Sequence, residues 1–82
     1  MSEAIAVEAR FEAEGKVRVL AFERRGRRTV VATTGRQWEA EDGRHILVMT
    51  PSEEVLELLY RPASGAPPWL LVRSLSPGGR AA

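Results

Sequence analysis

The chain contains no cysteine, so neither a disulfide framework nor a thiolate metal site can reinforce its core, and a small secreted scaffold stapled by bridges is excluded. Asparagine is missing as well, and glutamine, histidine and aspartate each occur once, at Gln37, His45 and Asp42. Catalysis needs groups that exchange protons, attack or hold a metal, and so thin an inventory implies a protein that is not an enzyme and takes no cofactor. Long apolar runs are lacking too. Ile46 to Met49 and Trp69 to Val72 are far too short to span a bilayer, and Met1-Ser2-Glu3-Ala4 has neither the basic nor the apolar region of a secretion signal. A soluble cytoplasmic protein without membrane contact is expected. Lysine is nearly absent, since all twelve basic residues except Lys16 are arginine. Arginine suits bidentate contacts with phosphate or carboxylate, but its heavy use also accompanies a GC-rich genome or avoidance of thermolabile side chains.

What the sequence does have is rhythm. Short runs rich in Val, Leu and Trp alternate with turn signals at Gly15, Gly26, Gly35, Asp42-Gly43, Pro51-Ser52 and Ser64-Gly65, the punctuation of a small antiparallel β domain. A chain of 82 residues makes one domain that buries roughly 60 to 65 per cent of its unfolded surface. The formal net charge of +1 hides two opposed segments. Glu23 to Arg36 sets five arginines against one glutamate, and Gln37 to Tyr60 sets six carboxylates against one arginine.

Ile5 to Glu12 alternate cleanly, with Ile5, Val7, Ala9 and Phe11 on one face, which predicts a half-solvated strand. Val17 to Glu23 follows after Glu14-Gly15-Lys16, and Thr29 to Thr34 after Arg24-Arg25-Gly26-Arg27-Arg28, so the first three runs read as a meander. Gln37 to Glu41 and His45 to Thr50 flank Asp42-Gly43, which predicts a hairpin with a type I′ turn centred on those two residues. Thr50-Pro51-Ser52-Glu53 matches a capping box with proline at the first helical position, yet Leu56, Leu58 and Tyr60 alternate, so this segment is open to either strand or helix. Trp69 to Leu75 reads as the last strand and residues 76–82 as a disordered tail. The fold expected is a single all-β domain over residues 1–75, six or seven short strands curled into a small barrel or a strongly twisted sheet. The alternative is α+β with one helix at about 51–61.

Glu8-Ala9-Arg10-Phe11, Gly15, Phe22, Gly26-Arg27, Val31, Arg36 with Trp38, Gly43, Glu57-Leu58 and Trp69 with Leu71 and Arg73 occur in an order that resembles a family of small uncharacterised bacterial all-β domains. Some members are encoded near error-prone DNA polymerase genes. The resemblance spans about residues 7 to 73. It implies an all-β fold and a DNA-repair context, and it brings no active-site residue with it.

Glu39, Glu41, Asp42 and His45 are the one cluster with metal-ligand chemistry, but a solvated carboxylate face with His45 at its rim accounts for them better, and no metal is expected. Glu53, Glu54 and Glu57 read as a solvated edge. The strongest charged candidate is Arg24, Arg25, Arg27 and Arg28 around Gly26, where four guanidinium groups could neutralise neighbouring phosphates of a nucleic acid. The alternative is that these arginines pair with the acidic segment Glu39 to Glu57. Apolar residues are in surplus. If Val17, Val19, Trp38, Ile46, Val48, Leu56, Leu58, Trp69 and Leu71 fill one core, then Leu20, Phe22, Leu47, Met49, Leu59, Leu70 and Val72 need a second home. A small monomer rarely exposes that much without using it. The expected function is therefore a non-enzymatic binding or assembly module, a homodimer or the partner of another protein, with Leu20, Phe22, Leu47 and Met49 at the interface. The alternative is a nucleic-acid-associated module using Arg24 to Arg28.

Overall fold

The alternation that begins at Ile5 does build strands, but the chain bends at that residue and serves two sheets in turn. The computed structural model describes residues 2–62 and 67–75; the tail expected at 76–82 lies outside the described residues, as do 63–66 of the turn-rich stretch. The strands are β1 (Glu3–Ala4), β2 (Ala6–Phe11), β3 (Val17–Arg24), β4 (Arg27–Val30), β5 (Thr33–Ala40), β6 (Gly43–Met49), β7 (Val55–Tyr60) and β8 (Trp69–Ser74). All neighbours are antiparallel. One sheet has the order β1-β8-β7-β6-β5 and the other β2-β3-β4. No helix occurs among the described residues.

The two sheets share corners. At Ile5 the chain passes from β1 to β2, with the Ile5 amide still donating to the Trp69 carbonyl. At Val31-Ala32 it passes from β4 to β5, the Val31 amide bonding Leu20 and the Ala32 amide bonding Met49. Between the sheets lies a core of Ile5, Val17, Val19, Phe22, Ile46, Val48, Leu56, Leu58, Trp69 and Leu71, with Val7, Ala9, Val31 and Tyr60 packed against it. The strands do not close into a barrel, because β3 and β5 are not paired to each other.

The ambiguous segment 50–61 is a turn and a strand. The Thr50 carbonyl accepts from the Glu53 amide, the Thr50 amide donates to the Glu54 carbonyl, and Thr50 Oγ1 accepts from the Glu54 amide. Glu53 takes a φ of 70°, which ends any helical course. The hydroxyl chemistry of a cap thus serves a hairpin. Leu56, Glu57, Leu58 and Leu59 are buried in succession, as the centre of a covered sheet allows and an amphipathic helix does not.

The hairpin at residue 42 also forms, one position earlier than expected. Ala40 pairs with Gly43, so its central residues are Glu41-Asp42, and Gly43 already belongs to β6 with a φ of 137°. The two-residue turn with positive φ at both positions is Arg25-Gly26, at 53° and 77°, between the paired Arg24 and Arg27.

Three residues occupy places other than those expected. Phe22 is a core residue. A bulge between Glu8 and Ala9 leaves Leu20 without a direct partner on β2 and turns Phe22 inward. Trp38, expected in the core, pairs in register with His45 on the opposite face of the five-stranded sheet. Glu57, expected on a solvated edge, is only 3 % exposed.

Candidate interaction surfaces

The most developed polar arrangement lies on the outer face of the five-stranded sheet, where β6, β7 and β8 bring His45, Glu57 and Arg73 side by side. His45 Nδ1 lies 2.6 Å from Glu57 Oε2 and Nε2 lies 2.8 Å from Asp42 Oδ1. Arg73 Nε donates to Glu57 Oε1 at 2.8 Å. Burial opposes the charge on His45, but its hydrogen bonds to Asp42 and Glu57 outweigh that penalty and raise its pKa above the ordinary 6.5. Burial likewise works against the Glu57 carboxylate, yet Arg73 and His45 hold its pKa below the ordinary 4.5. The hydrogen bond from His45 lowers Asp42 in turn. An imidazolium with both nitrogens given to carboxylates has no lone pair for a proton or a metal. Trp38 stacks on this ring at 5.3 Å and 8°, and the Arg36 guanidinium lies 5.3 Å from the indole centroid. Among the described residues no group of three or more ligating side chains could hold a metal ion.

The arginines of the β3-β4 hairpin have found partners, though not in the acidic segment. Arg24 lies 2.9 Å and Arg25 3.5 Å from the Glu3 carboxylate, and Arg28 grips Glu8 with Nε and Nη2 at 3.3 and 2.7 Å. Arg27 is exposed. The carboxylates come from β1 and β2 because those strands flank β8 and β3, which chain distance alone does not reveal.

The proposed interface residues separate into different environments. Phe22 is buried, Leu47 is half-buried and Leu59 and Leu70 are buried on the outer face. Leu20 and Met49 are 43 % and 37 % exposed, and Val30 at 53 % and Leu75 at 39 %, not among the expected interface residues, join them. Backbone bonds link this set across strands: Leu20 to Val31, Ala32 to Met49, the Met49-Val55 pair, and Leu75 to Val55. At the other end of the molecule Phe11, Tyr60 and Trp69 form an aromatic run with centroid separations of 5.3 and 4.6 Å, beside a cavity of about 710 Å³.

Where β3 and β5 fail to pair, side chains replace the missing ladder. The Val17 amide donates to Gln37 Oε1 at 3.0 Å and Gln37 Nε2 donates to the Val17 carbonyl at 2.8 Å. Thr34 Oγ1 accepts from the Val19 amide and donates to the Val19 carbonyl, at 3.0 and 3.2 Å. A bulge between Thr34 and Gln37 holds β5 off, and the seam opens into a cleft of about 580 Å³.

Comparisons with protein families, curated proteins and solved structures found no match to this chain. Function rests on the surfaces themselves.

Proposed function

We propose that this domain is a binding and assembly module that self-associates through the apolar strip around the Val31-Ala32 corner. The observation that supports the reading is the alignment of Leu20, Val30, Met49 and Leu75, all exposed, on neighbouring segments joined by backbone hydrogen bonds. Exposed apolar side chains scattered singly need no explanation, whereas a contiguous set calls for a partner. A second copy presents the same strip about a two-fold axis. Each of these residues is already partly buried in the monomer, so withdrawing the rest contributes about half of the roughly 1.5 to 3 kcal/mol of full burial, and the two copies of the strip together bring micromolar association, about 8 kcal/mol, within reach before entropic losses. Light scattering across a concentration series should give a dimer mass at micromolar protein, and Leu20→Glu or Met49→Glu should return the monomer with an unchanged circular dichroism spectrum. A monomer mass at every concentration defeats the proposal. The alternative, nucleic-acid contact through Arg24, Arg25, Arg27 and Arg28, has less support because Arg24 and Arg25 share the Glu3 carboxylate and Arg28 pairs with Glu8, which offsets half of the four charges.

A further inference from the structure

The cations that pair with no carboxylate tell a different story from the arginine-rich hairpin. Arg24, Arg25, Arg28, Arg44 and Arg73 all sit in ion pairs. Lys16, Arg18 and Arg36 do not, although they are far apart in sequence, and the fold gathers them around the seam cleft between β3 and β5. Arg10 stands directly opposite Arg18 across β2 and β3. Like charges in that position destabilise a sheet, and neither has a counter-ion among the described residues. Glu12 is the sole carboxylate lining the cleft. A smaller cleft that shares Lys16 and Gln37 continues the seam to Trp38, with Glu14 and the Arg44-paired Glu39 also on its wall, and the indole already carries the Arg36 guanidinium.

We infer that this seam is a binding site for single-stranded nucleic acid, with Lys16, Arg18, Arg36 and Arg10 on successive phosphates and Trp38, once Arg36 has turned from the indole to a phosphate, offering its ring to a base. A row of uncompensated cations leading to an aromatic is how sequence-tolerant single-strand sites are built. The anion also removes the repulsion between Arg10 and Arg18, which gives the apo protein's unfavourable pair a purpose. The site is distinct from the apolar strip, so either proposal can fail alone.

The test is fluorescence anisotropy with a labelled oligothymidylate of about ten nucleotides, a length within the usual range of site sizes, using the full chain. Binding should weaken with salt at a log–log slope of about −2 to −3, as three or four phosphate contacts on a single strand require. Arg18→Glu and Arg36→Glu should each lose at least tenfold in affinity, while Arg27→Glu, the same charge change on the hairpin, should lose much less. Arg18→Gln guards against a folding artefact: it should weaken binding without lowering the melting temperature, since it removes a like-charge contact. Binding no tighter than about 10⁻⁴ M at low salt would overturn the site. So would equal losses in all three charge reversals, tighter binding of a duplex of the same length, or competition by inorganic phosphate at equal phosphate concentration.

Discussion

At the residue scale His45 shows how a largely buried titratable group becomes structural. Its folded pKa is raised, so its contribution to stability is complete below about 6.5, the unfolded value, and is lost as pH rises through the higher folded value. Glu57 is lowered, so its contribution is complete above about 4.5 and is lost as pH falls through the lower folded value. The two windows overlap between about 4.5 and 6.5, where the network stabilises most. Because the chain has one histidine and no cysteine, any fall in melting temperature between about pH 6.5 and 8.5 belongs to His45, apart from the α-amino group. His45→Gln should flatten that limb and, by leaving buried Glu57 with one partner fewer, cost about 1 to 3 kcal/mol near pH 6. A wild-type profile that is flat through this range would show that folding does not raise the pKa of the ring. Gly43 makes a second residue-level case. A Cβ there would lie 2.5 Å from the Tyr60 carbonyl oxygen and 3.1 Å from Leu59, at a φ that L residues rarely adopt. Gly43→Ala should therefore cost more than the roughly 1 to 2 kcal/mol of an unfavourable φ alone, lowering the melting temperature by at least about 8 °C. Gly26→Ala, with no atom near its Cβ, should show only the conformational part.

Among the elements β3 and β5 are joined by side chains rather than by a backbone ladder. Edge strands expose amides and carbonyls that recruit other chains, and here Thr34 and Gln37 satisfy both groups of Val19 and Val17 in place of a strand. Arg44 steadies the arrangement by reaching the Gly15 carbonyl at 2.6 Å and Gln37 Oε1 at 3.3 Å. Thr34→Val keeps the shape and removes the hydrogen bonds, leaving two part-buried backbone groups unpaired. It should cost about 1 to 3 kcal/mol and speed hydrogen exchange at the Val19 amide more than at Ile46 in the sheet centre. Unchanged exchange at Val19 would mean that the side chain does not carry the joint.

On the scale of the whole molecule the periodicity and turn residues by themselves determined that the chain is all-β and antiparallel, because a two-residue repeat can bury one face only as a strand. Most strands were legible in this way, as were Ile46, Val48, Leu56 and Leu58 as core residues. The face of a residue beyond a bulge was not. One inserted residue reverses every later side chain, which is why Phe22 turned inward and Trp38 came out onto His45. Nor were charge partners legible, since Glu3 meets Arg24 and Glu8 meets Arg28 only after β1 and β2 fold back across the chain. Three arginines of the densest run thereby share two carboxylates, while the seam gathers Lys16, Arg18 and Arg36, cations without a carboxylate partner that no short sequence window contains together. Composition and period are local properties that set the kind of structure. Which side chains share a surface depends on strand order, register and bulges, and those are settled by long-range packing of the two sheets around one core.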